Sequence, residues 1–210
     1  MTGTACIALT GGLGGGKTTF IEELRRDARL GGWLAFAPEA VPVVRQTGIS
    51  TGEQLFQKAM VYMQMALEDA LTRALEQHEG CVIICHRGSL DPLAYWLDRG
   101  WSEEEFFGYT GTTRVEHYAR YHAVIHLVTA ADGATSHYTR WPEADRVETV
   151  DEAVRLDRLL QQVWRAHPRY YRVDNEGRDW RAKSEAAREI LCRLLEHEQN
   201  HGPYRQERRQ

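Results

Sequence analysis

At 210 residues with 42% apolar side chains, the chain is long enough to bury one sizeable core and short for two. Its formal charge of -4 at neutral pH, with basic residues spread among acidic ones, leaves no electrostatic footprint for nucleic acid. No apolar run approaches the length that crosses a bilayer, and residues 1–10 lack the basic start and long apolar core of a secretion signal. The expectation is a cytoplasmic protein with small ligands and neither a nucleic-acid nor a membrane partner. Cys6, Cys81, Cys85 and Cys192 form no CxxC pair and sit mostly in apolar runs, which suits small core residues in a reducing compartment.

In chain order, short apolar runs alternate with longer helical patterns, the signature of βαβ units on a buried parallel sheet. The runs are 6–9, 33–37, 81–85, 123–128 and 170–173. Between them, Ser50 with Glu53 reads as a capping box opening a helix that carries Phe56, Met60, Met63, Leu67 and Leu71 on one face and runs to about Gln77. Thr149 with Glu152 is a second capping box, ahead of Leu156, Leu159, Leu160 and Val163, and Ile190, Leu191, Leu194 and Leu195 mark a final helix. Residues 1–200 read as one domain, and the polar, basic stretch 201–210 as a flexible tail.

The segment from Gly11 to Thr18 matches G-x-x-x-x-G-K-[ST] directly after the first strand run and at the start of a helix. Glycines at Gly12, Gly14, Gly15 and Gly16 let backbone N–H groups wrap a phosphate chain. Lys17 is placed to reach the β- and γ-phosphates, Thr18 offers a hydroxyl to Mg²⁺, and Thr19 continues the helix start whose dipole favours the anion. The pattern therefore predicts a nucleoside triphosphate with Mg²⁺. The absence of a guanine-selective N-K-x-D motif favours ATP.

In a parallel sheet, ligands lie beyond the carboxyl ends of the strands, so the residues that follow each run matter most. Glu39, after the second run, is placed to take the proton of an acceptor hydroxyl or to be a simple surface charge. The third run ends in His86-Arg87, where many phosphate-loop proteins put a magnesium-holding acid. Neutral imidazole is a poor ligand for Mg²⁺, so Asp91 or a water network is expected to substitute. Arg87 suits a phosphate or an acceptor, or pairs with Asp91 at i, i+4. The polar segment 132–148 reads as a mobile lid that delivers Arg140 and Arg146 to the transferred charge. The turn 174–177 puts Asn175 where a nucleotide base is reached.

These pieces resemble the phosphate-loop kinases, and more closely the AAA_28-type family of ATPases and kinases related to nucleoside kinases. The matching segments are TGGLGGGKTT at 10–19, PEA at 38–40, FQ at 56–57, RGSLDPLAY at 87–95, RVETVDEAVRLD at 146–157 and WRAHPRYYRVDN at 164–175. The resemblance implies an α/β P-loop NTPase fold: a five-stranded parallel sheet flanked by helices, with a lid. It also implies an ATP-dependent kinase acting on a small hydroxylated or phosphate-bearing acceptor, with Glu39 as base and Gln57 reading the acceptor's base, although a core- or solvent-facing Gln57 fits the spacing equally. The departure is His86, where the family shows an acid. It leaves a nucleotide-dependent switch or slow hydrolase as the second reading.

Overall fold

The computed structural model describes residues 4–30, 32–78, 80–138, 149–177 and 179–201, with the side chains of 137 and 197–201 left aside. The expected lid arginines, Arg140 and Arg146, and the tail beyond residue 201 lie outside the described residues. Five strands, β1 (Ala5–Thr10), β2 (Leu34–Ala37), β3 (Val82–His86), β4 (Ala123–Leu127) and β5 (Tyr170–Val173), form one sheet in the order β2-β3-β1-β4-β5. Every pairing is parallel. The five apolar runs become these strands within a residue or two of their expected ends.

Strand alternation decides how the two faces are covered. Cys6, Ala8, Ile83, Cys85 and Val124 point to one face, where Trp96, Phe106, Leu160 and Trp164 close the core. Ile7, Leu9, Ile84, Ile125 and Leu127 point to the other, against Phe20, Leu24, Leu191 and Leu194. The second face is covered by α1 (Lys17–Arg26) and α8 (Trp180–His201). The first is covered by α3 (Gln54–Ala74), α4 (Asp91–Asp98), α5 (Glu103–Thr110) and α7 (Val150–Trp164). Two short helices, α2 (Val41–Arg45) and α6 (Arg114–Ala119), complete the set. With helices on both faces and β1 between β3 and β4, this is an α/β P-loop NTPase fold. Cys6 and Cys85 are buried free thiols, and all four cysteines are unpaired.

Capping explains several helix starts and corrects one. Thr149 and Glu152 form the expected box, and Ser102 with Glu105 and Thr113 with Glu116 form two more at α5 and α6. Ser50 and Glu53 do not. Ser50 Oγ accepts from Gly52 N at 3.3 Å and Glu53 N donates to Ser50 O at 3.1 Å, so the chain makes a turn first and α3 begins at Gln54. The helix also stops at Ala74, short of Gln77.

α3 buries a second face beside the one its apolar stripe suggests. Phe56 and Met60 pack with Ala40 and Val44 of the α2 region, with Met63 and Leu67 alongside. Toward the sheet the helix presents Gln57, Val61, Gln64 and Glu68, all buried. The three polar residues among them, Gln57, Gln64 and Glu68, recur at helical spacing, one turn or two apart. They prove central to the site.

Candidate active site

The loop after β1 leads into α1, with Gly16 as N-cap in the left-handed region (φ 91°). Only glycine fits there, because a Cβ would also run into the Trp180 ring at the start of α8. The helix start thereby aims its free N–H groups at the loop's concavity, a ready-made anion site. Gly14, Thr18 and Thr19 stand exposed at its rim, whereas Gly15 and Lys17 are buried.

Lys17 Nζ donates to the carbonyls of Gly11 and Gly12, each at 2.7 Å, and so folds back into the loop. Burial, reinforced by the Arg87 charge, takes its ammonium down to about 7, against the pull of Glu39, Asp91 and Asp157. A bound phosphate would supply the missing counter-charge. Thr18 Oγ1 lies 3.1 Å from His86 Nε2. Burial lowers His86 to about 4, Glu39 opposing and Lys17 and Arg87 assisting, so the imidazole is neutral near pH 7. When its Nε2 accepts the Thr18 proton, the hydroxyl lone pairs are left free for a metal. The donor set is one hydroxyl, which suits Mg²⁺ held mostly by phosphate oxygens and water. Among the described residues no cluster of three or more His, Cys, Asp or Glu could hold a metal ion.

Asp157, which sequence reading passed over, fixes the loop from below. Its carboxylate accepts from Gly12 N at 2.6 Å, Thr129 N at 3.2 Å, His126 Nε2 at 3.1 Å and Gln161 Nε2 at 2.8 Å. Burial alone would raise its carboxyl, but His126, the Gly12 N–H and Gln161 hold it below the usual range. The available signal was a lone acid on the Ala153, Leu160 and Trp164 face of an otherwise apolar helix side.

Asn175 is buried and its side-chain amide is fully engaged. It donates to Thr129 O and Asp132 O, each at 2.7 Å, and accepts from Lys183 Nζ at 2.9 Å. Instead of presenting an amide to a nucleotide base, it ties the loop after β4 to α8. The described part of the expected lid, 132–138, is a loop with a single turn of 3-10 helix over Thr135–His137.

Arg87 joins the two halves of the site. It is 5% exposed, and among the described residues it is the one non-glycine at positive φ (79°), a strained conformation worth about 1–3 kcal/mol. The strain is held by Arg87 N donating to Leu9 O at 3.1 Å and by Gln64 Nε2 donating to Arg87 O at 3.2 Å. Its guanidinium meets Glu39 Oε1 at 3.0 Å, Asp91 Oδ2 at 3.4 Å and, weakly, the loop carbonyl of Gly11 at 3.5 Å. Glu39 would be raised by burial, yet Arg87, His86 and Lys17 bring it down to about 2. Asp91 corrects the expectation that it substitutes for an acid at His86. Its oxygens are taken up by Thr10 Oγ1 at 2.8 and 2.9 Å, Trp164 Nε1 at 2.8 Å and Arg87, so it positions the arginine.

Behind this cluster, Glu68 accepts from Gln64 at 2.9 Å, Tyr121 at 2.6 Å and Arg120 at 2.9 Å, and Tyr121 Oη accepts from Ser89 N at 2.5 Å. The network clamps the segment after β3 from the rear. In front lies a cavity of about 290 Å³ lined by Gln57, Met60, Arg87, Asp91 and Tyr95, among others. Gln57, Arg87 and Asp91 thus share one cavity, and Glu39 reaches it through Arg87.

With this geometry in place, the family model matching residues 6–183 is that of AAA_28, an AAA domain. The chain belongs to the AAA_28 family. No curated protein matches it. As an AAA_28 member with an intact phosphate loop, the chain is a P-loop nucleotide-binding protein. Among its described residues no helix is long and apolar enough to cross a membrane.

Proposed function

We propose that this protein is a phosphotransferase that moves the γ-phosphoryl group of Mg²⁺·ATP to a hydroxyl or phosphate on a small, nucleoside-like acceptor. One observation carries the reading: Arg87 touches the phosphate loop on one side and lines a cavity of about 290 Å³ on the other. A hydrolase needs only water beside the γ-phosphate, whereas a transferase needs a shaped second site.

In this reading Lys17 and the loop amides from Gly12 to Gly16 hold the phosphates, with Thr18 toward the metal and Thr19 at the helix start. Arg87 draws the acceptor and the transferred group together. Glu39, at about 2, is too acidic to strip a hydroxyl early. In the loose transition state of phosphoryl transfer little proton abstraction is needed, so Glu39 orients the acceptor and takes its proton late. Arg140 and Arg146 are assigned to the transferred charge on sequence grounds alone.

The second reading, a nucleotide-dependent switch or slow hydrolase, is favoured by His86 standing where an acid would hold magnesium. ADP release from Mg²⁺·ATP across a panel of nucleosides, nucleotides, sugars and amino alcohols separates the two. A transferase shows turnover that rises with one acceptor class and drops about 10²-fold in Glu39→Gln. Slow turnover indifferent to every acceptor and to Glu39 would falsify it.

A further inference from the structure

Two arginines of the cavity are left over by every role assigned so far. Its walls carry four arginines (Arg45, Arg87, Arg99, Arg155) and three acids (Asp91, Asp98, Glu152). Arg87 is neutralised by Glu39 and Asp91, and Arg155 by Asp98 at 2.6 Å. Glu152 is engaged by Thr149 in the α7 capping box. Arg45, in the last turn of α2, and Arg99, the C-cap of α4, keep no ion pair or side-chain hydrogen bond among the described residues. Arg99 lies against Gly52 in the turn that enters α3. Arg45 is half-buried and Arg99 exposed, so solvent satisfies both guanidinium groups in the empty cavity; a favourable place at a helix C-terminus does not explain why both side chains line the same concave surface.

Deeper in the same cavity, Gln57 is 6% exposed and its amide makes no hydrogen bond among the described residues. That amide is open to the cavity, so a ligand matching its donor and acceptor takes the place of water there. Phe56, Met60 and Tyr95 supply the apolar part of the wall. Unpaired guanidinium forks on one concave surface match a phosphate ester best, since each offers paired donors in a fixed plane.

We infer that the acceptor is itself a phosphate ester, with its existing phosphate held by Arg45 and Arg99 and a polar ring or amide-matching group against Gln57. The inference rests on the phosphotransferase reading for the chemistry that follows binding. There the acceptor oxygen bonds to the γ-phosphorus, the β,γ-bridging P–O bond breaks, ADP leaves, and any hydroxyl proton passes through Glu39 to water.

The experiment compares matched acceptors in the ADP-release assay: nucleosides against their 5′-monophosphates, and ribose against ribose 5-phosphate and ribonate. The phosphate ester of a pair should show a KM at least about ten-fold below its neutral parent, and Arg45→Ala and Arg99→Ala should each raise that KM about 10- to 100-fold. Lys58→Ala, which removes a cation sitting 4.7 Å over the Tyr109 ring and outside the cavity lining, should leave it unchanged. Neutral parents served equally well, or ribonate served better than ribose 5-phosphate, overturns the inference. If no acceptor stimulates turnover, the phosphotransferase reading fails, and calorimetry decides the anion site separately. With the phosphate loop filled by a non-hydrolysable ATP analogue, ribose 5-phosphate and the nucleoside 5′-monophosphates should bind to the wild type and not to the two arginine variants; absence of binding to the wild type overturns the site.

Discussion

The phosphate loop is one consecutive stretch, Gly11 to Thr18, whereas the neighbouring cavity gathers Arg45 from α2, Gln57 from α3, Arg87 just after β3 and Arg99 at the end of α4. The loop's chemistry is backbone chemistry, so a short run of glycines before a helix is sufficient to specify it. The cavity's chemistry is side-chain chemistry at a junction of elements, so each contributor looks ordinary in its own segment. Arg87 belongs to both regions. Its contacts with Gly11, Glu39 and Asp91 make the two regions mechanically one.

The largest expected effect breaks that link. Arg87→Ala leaves Asp91, 2% exposed, without its cation and removes the residue between loop and cavity. Acceptor-stimulated turnover should fall about 10²- to 10³-fold. Unfolding free energy in urea should drop by about 3–5 kcal/mol, as expected when one partner of a buried pair is removed. A variant that loses turnover and keeps its full stability would show that the regions are joined only through ligands.

A smaller effect sharpens the view of the loop. Lys17 sits at about 7 without nucleotide, and phosphates restore its charge, so binding takes up a proton. Nucleotide affinity should therefore weaken as pH rises above 7, by up to about ten-fold per unit, with proton uptake visible in calorimetry as a dependence on the buffer's ionisation heat. The sign for folding follows from the same shift. Between about 7 and 10.5 the unfolded chain holds this proton and the folded one does not, so the lysine's destabilisation is full below pH 7 and fades toward 10.5. Affinity flat from pH 7 to 9 would mean that Lys17 stays charged in the empty loop.

The smallest expected effect isolates the cavity. Gln57→Leu removes a buried amide that has no protein partner, so stability should hold or rise slightly while the acceptor KM increases about ten-fold. Nucleotide affinity measured without acceptor should not change. A loss of thermal stability with an unaltered KM would make Gln57 a structural residue and separate it from the acceptor.

These contrasts explain which parts of the protein were readable in its sequence. The strand runs are apolar because a parallel sheet covered on both faces buries its three central strands almost completely and its edge strands in part, and that pattern survives without knowledge of neighbours. The Thr149–Glu152 box is local by construction, since its two partners are three residues apart. Ser50 and Glu53 have the same spacing and the opposite outcome, because a turn between Ser50 and Glu53 satisfies those groups before the helix begins. On α3 the apolar stripe marks one buried face through Phe56 and Met60, but nothing in it shows that Gln57, Gln64 and Glu68 are buried beside it. Asp157 and Asn175 were legible as polar residues near strand ends or on apolar faces, but not as the ties that hold the loops following β1 and β4.

By itself the sequence determined the α/β class, the five strands and the phosphate loop, because each depends on the periodicity or backbone freedom of residues adjacent in the chain. Only the tertiary structure decided that Asp91 and Asn175 serve as anchors, that Asp157 supports the loop, and that Gln57 and Arg87 open onto one cavity with Arg45 and Arg99. Those roles depend on which donors and charges lie within about 3 Å across separate elements, a distance set by how the helices pack on the sheet.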